Sequence, residues 1–202
     1  MKRFAALLFF TVSAVPALAA GQGGYVAIDV GPATFSGADF GAANTGVSYP
    51  NPGSFHITGG YHFDQNLGVE GGIVSVGDST VNTVNLGGSE TLKTSVWYVA
   101  ATGTFPVSNQ FDLFGKLGLA STKIDYTTGG LFTPATFSGS KTNLMFGLGG
   151  QYNFNQNWGL RVQYENFGKT DISFPAGWFA IGPGMTKSIG LSTFTVGGVY
   201  NF

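Results

Sequence analysis

His56 and His62 are the two histidines of the 202-residue chain, and an acid–hydroxyl pair, Asp78-Ser79, follows them. A histidine, an aspartate and a serine within hydrogen-bond reach can activate a hydroxyl for acyl transfer. That chemistry needs His56, Asp78 and Ser79 to meet at one rim of the fold. Each also has a plainer reading. An Asp-Ser pair at a strand end opens an ordinary loop, and two histidines six positions apart suit a polar interior. No phosphate-cradling glycine loop, nucleophile elbow or metal-ligand spacing occurs. Zero cysteines exclude disulfides and thiolate metal sites. The expectation is no catalysis, no metal and no cofactor.

A second constellation is ionic. Asp29, His56, His62, Glu70, Lys116, Gln151, Arg161, Gln163 and Glu165 share one parity within segments that alternate with a period of two. In Phe55-His56-Ile57-Thr58-Gly59-Gly60-Tyr61-His62-Phe63 the odd positions suit lipid and the even ones a polar interior. Trp158, Leu160, Val162 and Tyr164 alternate in the same way with Gly159, Arg161, Gln163 and Glu165. Buried charges must be paired, so the constellation predicts a packed polar core.

Eight such segments can be counted: 24–35, 54–63, 67–78, 91–105, 111–126, 141–154, 158–171 and 188–202. The connections 64–66, 106–110 and 155–157 are short. Those at 36–53, 79–90, 127–140 and 172–187 are long and rich in Gly, Ser, Thr and Pro. Short periplasmic turns and long extracellular loops characterise outer-membrane barrels. The prediction is an all-β, eight-stranded, antiparallel up-and-down transmembrane β-barrel, with both termini on the periplasmic side. A hairpin repeat supports it: Phe63-Asp64-Gln65-Asn66-Leu67-Gly68-Val69-Glu70 parallels Phe154-Asn155-Gln156-Asn157-Trp158-Gly159-Leu160-Arg161. Glu70 and Arg161 fall at equivalent heights in it. Phe63, Phe105, Phe111, Phe154, Trp158, Tyr200 and Phe202 are expected to form the periplasmic aromatic girdle.

Composition narrows the class in the same direction. Charged residues are 9% and aromatics 15%, with 33 glycines; soluble domains are about 25% charged. No uncharged apolar run after residue 20 approaches the roughly 18 residues of a spanning helix. Lys2 and Arg3, the apolar stretch Phe4 to Val15, Pro16 and Ala17-Leu18-Ala19 read as a signal peptide at 1–19, cleaved after Ala19. The barrel domain then occupies 20–202. Without Lys2 and Arg3 the chain has 7 basic and 10 acidic residues, net −3, so nucleic acid is not an expected partner.

The ending Thr195-Val196-Gly197-Gly198-Val199-Tyr200-Asn201-Phe202 resembles the C-terminal assembly signal of bacterial outer-membrane proteins. Thr195, Gly197, Tyr200 and Phe202 occupy its positions. Gly59-Gly60-Tyr61-His62-Phe63, Val69-Glu70-Gly71-Gly72, Phe114-Gly115-Lys116-Leu117-Gly118 and Leu160-Arg161-Val162-Gln163-Tyr164 extend the similarity. The mature chain resembles the OmpA-like, OmpX-type eight-stranded barrel family, as the transmembrane barrel alone without the periplasmic domain. The resemblance implies an interior salt-bridge network carried by Glu70 and Arg161, joined here by Lys116, Glu165 and Asp29. Interior lysines of the family on strands one and four correspond to Asp29 and Thr102, and an interior glutamate on strand six to Gln151. It also implies a location in the outer membrane of a Gram-negative cell and contact with outer-membrane lipids and lipopolysaccharide. Periplasmic chaperones and the barrel assembly machinery are the implied partners during biogenesis, and a monomer the implied state.

The expected role is structural or surface-interacting, through loops such as 36–53 and 172–187. A narrow gated pore is one alternative. A lipid A- or phospholipid-modifying barrel is another. The deacylase type needs a late-strand histidine that this chain lacks. The palmitoyltransferase type would use His56, Asp78 and Ser79, but the N-terminal amphipathic helix of that type is missing.

Overall fold

The computed structural model describes residues 22–37, 51–83, 88–130, 135–174 and 184–202. The proposed signal peptide at 1–19 lies outside them. Eight strands follow in chain order: β1 (Gly23–Ser36), β2 (Gly53–His62), β3 (Leu67–Thr83), β4 (Gly88–Pro106), β5 (Phe111–Gly130), β6 (Ala135–Asn153), β7 (Trp158–Phe174) and β8 (Met185–Asn201). Each pairs antiparallel with its sequence neighbours, and β8 closes on β1. This is the predicted up-and-down barrel. Closure gives every strand two neighbours and leaves no edge strand, as a lipid surround demands.

Three short turns share one chemistry. Asp64 Oδ1 accepts the backbone N–H groups of Asn66 and Leu67 at 2.7 and 2.8 Å. Asn155 Oδ1 does the same for Asn157 and Trp158 at 2.9 and 2.8 Å. Ser108 Oγ serves Gln110 and Phe111 at 3.3 and 3.1 Å. These are side-chain-mimicked turns. The repeat continues past the turn: Asn66 Nδ2 donates to Thr104 O at 2.9 Å, and Asn157 Nδ2 to Asn201 O at 3.0 Å. Each repeat unit thereby ties its turn to a neighbouring strand.

Period-two alternation separates the two faces. Ile57, Ile73, Trp97, Leu117, Leu144, Leu148 and Phe194 are exposed on the outside, where lipid would cover them. At the short-turn end Phe63, Phe105, Phe154, Trp158 and Phe202 are exposed as well. Trp158 meets Tyr200 edge-on at 4.8 Å between ring centroids, and Tyr200 meets Phe202 at 5.4 Å.

The wall is taller than the alternation predicts. Residues 79–83 and 88–90, expected as loop, are strand, as are 127–130, 135–140, 172–174 and 185–187. Rungs of hydroxyl pairs hold this extension: Thr80–Thr91 at 3.1 Å, Thr127–Thr136 at 3.2 Å and Ser173–Thr186 at 3.1 Å. Threonine is β-branched and favours strands, and cross-strand Thr pairs stabilise them. Above the lipid the outer face can be polar as well, so the apolar-outside signal fades while the pairing continues.

Two irregularities interrupt the ladders. β3 shifts register against β4 between Val76 and Ser79. β7 shifts against β8 between Asn166 and Lys169, where Gly168 adopts φ +77° and donates its N–H to Asn166 Oδ1 at 3.0 Å. Beside that bulge the paired residues of β6 and β7 run only from Asn153↔Gly159 to Phe146↔Asn166.

Candidate functional site

An eight-stranded barrel is just wide enough for side chains to fill. Here they fill it in layers. Nearest the long loops, Leu92, Ile124, Tyr126, Ile172 and Ile189 are fully buried together. Below them lie Val74, Val96, Ala120, Met145, Phe167 and Leu191. An ionic layer follows, and on its short-turn side a cavity of about 50 Å³ is lined by Tyr25, His62, Glu70, Thr102, Asp112 and Arg161, among others.

The ionic layer joins five strands. Lys116 on β5 places Nζ 2.6 Å from Glu70 Oε1 on β3 and 3.1 Å from Glu165 Oε1 on β7. Arg161 on β7 presents a fork to Asp29 on β1, with Nε–Oδ1 at 2.7 Å and Nη2–Oδ2 at 2.5 Å. Its Nη1 is 3.8 Å from Glu70 Oε2. On β2, Thr58 Oγ1 accepts from Arg161 Nη2 at 3.1 Å, and His56 Nδ1 lies 3.1 Å from Glu165 Oε2. Ser54 Oγ donates to Gly31 O at 2.9 Å, so at 3.2 Å it accepts from His56 Nε2. Asp29, His56, Glu70, Lys116, Arg161 and Glu165 are all buried. In a site this buried, charge-assisted bonds are strong and an unpaired member is costly.

Glycines make room for the layer. A Cβ on Gly147 of β6 would press on Glu165 Cγ at 3.2 Å and Lys116 Cδ at 3.3 Å. A Cβ on Gly197 of β8 would overlap the Asp29 carboxylate and the Ile28 carbonyl. β6 and β8 thus contribute space where β1, β3, β5 and β7 contribute charge.

All five residues assigned to the network from sequence, Asp29, Glu70, Lys116, Arg161 and Glu165, fall in this one layer. The pairing is finer than parity could give. Lys116, not Arg161, is the short partner of Glu70, and Arg161 turns to Asp29. Parity missed the two phenols that finish the Glu70 carboxylate: Tyr25 donates to Oε2 at 2.7 Å and Tyr98 to Oε1 at 2.9 Å. It also missed the apolar layers above, although the inward run Leu92, Thr94, Val96, Tyr98 carries that signal.

The acyl-transfer constellation is not assembled. His56 is inside, with Nε2 bonded to Ser54 Oγ and Nδ1 3.1 Å from Glu165 Oε2. Asp78 is on the outer wall, half exposed, with its carboxylate 3.1 Å from Lys93 Nζ. Ser79 is buried. Among the described residues no cluster of three or more His, Asp or Glu side chains could hold a metal. Of the C-terminal positions, Thr195 and Gly197 face inward, while Phe202 is exposed and its N–H donates to Gly24 O at 2.9 Å.

A closed antiparallel wall, apolar outside and filled with paired charge inside, defines a bacterial outer-membrane β-barrel protein. The chain belongs to the outer membrane protein beta-barrel domain family, whose model matches residues 5–202. Among solved structures it is similar to Ail, the attachment invasion locus protein of Yersinia pestis: 19% identity, 91% of this chain, 100% of that one and a TM-score of 0.57. Neisserial surface protein A is similar at 14% identity, with 91% and 100% covered and a TM-score of 0.59. The N-terminal barrel of Pseudomonas aeruginosa OprF gives 14%, 91%, 100% and 0.54. At these identities the likeness is one of fold. No curated protein sequence matches.

Proposed function

We propose that this protein is a closed structural barrel of the outer membrane that displays its long loops at the cell surface and neither conducts solutes nor catalyses a reaction. One observation carries the reading: Lys116 spans the lumen between Glu70 and Glu165, with two buried apolar clusters between it and the long-loop end. A pore would need the cavity on the short-turn side to continue past Glu70 and Arg161, which form its inner boundary. A lipid-modifying enzyme would need Asp78 to join His56, and the wall separates them. The polar loops make the surface contacts, and the apolar belt contacts membrane lipid. After removal of 1–19 the chain inserts as a monomer, with Thr195, Gly197, Tyr200 and Phe202 addressed to the assembly machinery.

Planar-bilayer recording of the refolded barrel tests the closed lumen. The expected trace has no unitary current; reproducible unitary steps from pure protein refute it. Cell-binding assays of variants lacking 38–50 or 175–183 test the surface role, which fails if both variants bind as the intact barrel does.

A further inference from the structure

Above the apolar belt the outer face of β4, β5 and β6 carries a regular lattice. Its lowest row is Val99↔Leu119↔Leu144, all exposed. The next is Trp97↔Ser121↔Thr142, and the one above it Ser95↔Lys123↔Ser140. Lys93↔Asp125↔Ser138 follows. Rows are about 7 Å apart and strands about 4.8 Å apart. Lys123 therefore has a serine on either side, Ser121 one row below on its own strand and Thr142 diagonally below on β6, and Lys93 lies one row up on β4.

The cations are one-sided. Lys93, Lys123, Lys141 and Lys169 are exposed on the half with the long loops, and Lys187 lies there too. The other two cations after residue 20, Lys116 and Arg161, are in the lumen, so the short-turn half has none on its surface. Acids near the patch sit on its loop side. Asp125 binds Ser138 at 2.6 Å and Lys123 at 3.0 Å, and Asp78 binds Lys93 at 3.1 Å. These exposed pairs are weak and exchangeable. The membrane side of Lys123 offers the hydroxyls of Ser121 and Thr142 beside the Trp97 ring, and no carboxylate.

We propose that this lattice is a site for the phosphate group of an outer-leaflet lipid, held by Lys123, Lys93 and the hydroxyls of Ser95, Ser121, Ser140 and Thr142. The acyl chains lie over Trp97, Val99, Leu119 and Leu144. A phosphate accepts from several donors at once, and a lysine beside hydroxyls supplies both charge and directional bonds. The apolar row beneath selects a lipid-borne phosphate over a free one, because a free anion gains nothing from it. The site rests on the outer-membrane location and is independent of whether the lumen conducts.

The experiment compares phosphatidylcholine nanodiscs containing either diphosphorylated or dephosphorylated lipid A. Native mass spectrometry after detergent extraction counts lipid A retained per folded barrel. Wild type is expected to retain the phosphorylated form, and Lys123→Gln to lose about tenfold, as removal of one charge-assisted contact implies. Ser95→Ala/Ser140→Ala should lose a smaller factor, whereas Lys169→Gln on β7 should behave as wild type. Heat-modifiable migration verifies folding of each variant. Equal retention of dephosphorylated lipid A overturns the proposal. So does a loss in Lys169→Gln equal to that in Lys123→Gln, which would mean diffuse charge rather than a site. Release of the lipid by millimolar inorganic phosphate in wild type would overturn the selection for a lipid-borne group.

Discussion

Gly197 of β8 stands opposite Asp29 of β1, and a side chain at 197 would occupy the place of the Asp29 carboxylate. One position thus lies both in the C-terminal assembly pattern and against the Asp29–Arg161 pair. Gly197→Ala is expected to destabilise the barrel by about 1–3 kcal/mol, the usual cost of overpacking. Gly198→Ala is its control, since a Cβ there meets open space. Urea unfolding of both in the same micelle checks this; equal midpoints would show that the wall yields around Asp29 at no cost.

Glu70 is the acceptor for Lys116, Tyr25 and Tyr98. Glu70→Ala leaves all three without that partner, although Lys116 retains Glu165. Breaking a buried pair from one side costs about 3–5 kcal/mol where water stays out. The expected result is that loss in unfolding free energy, or a smaller loss accompanied by unitary current if water enters. Unchanged stability together with unchanged conductance would remove the network from any role in sealing the lumen.

Much of this layer was legible from residue types. Lipid and lumen make opposite demands on successive residues, so Leu160, Arg161, Val162 and Gln163 announce their faces one by one. The hairpin repeat gives Glu70 and Arg161 a common height. Azimuth is another matter. Arg161 reaches Asp29, far away in the chain, because barrel closure seats β1 beside β8 and so one strand from β7. Alternation fixes a height and a face but not which of several acids at that height is nearest. Loop boundaries were misjudged at Thr80, Thr127 and Ser173 for a different reason. Once the outer face meets water it too can be polar and the lipid-side signal vanishes, although hydroxyl rungs keep the strands paired.

The short turns offer a pH test. Backbone N–H groups of Asn66 and Leu67 hold the Asp64 carboxyl below the ordinary aspartate value. A carboxyl lowered on folding stabilises the folded state above its unfolded pKa, and that contribution disappears as pH falls through the folded value. Acid should therefore loosen the 64–66 turn but not the 155–157 turn, where Asn155 makes the same bonds without titrating. Amide shifts of Asn66 and Leu67 followed by NMR between neutral pH and acid, in wild type and Asp64→Asn, check it. The variant should show no titration; a persistent one would place its origin elsewhere.

Phe202 closes β8 onto β1 through its N–H and covers Gly24 with its ring, 3.4 Å from where a Cβ would stand. Deleting Phe202 should reduce membrane-inserted, heat-modifiable protein far more than substituting the loop residue Phe132. Equal amounts in the two strains would detach the terminal residue from insertion.

Protease added to intact cells should cut within the long connections, such as 38–50 or 175–183. Cleavage at Asp64–Asn66 or Asn155–Asn157 under the same conditions would invert the orientation.

The missing rungs between β6 and β7 have a mechanical meaning. A cylinder with one incomplete seam unzips from that seam. Beyond Phe146 and Asn166 the described residues of these two strands show no ladder pairing, only the Lys141–Asp171 ion pair at 2.8 Å across them, whereas β6 stays fully paired to β5. The amides of 140–145 that point toward β7 should take up deuterium before any others in the wall, since local opening follows the least-bonded path. A barrel pulled from its membrane should part there first and open into one curved sheet, with β7 and β8 at one edge still held to it through β1.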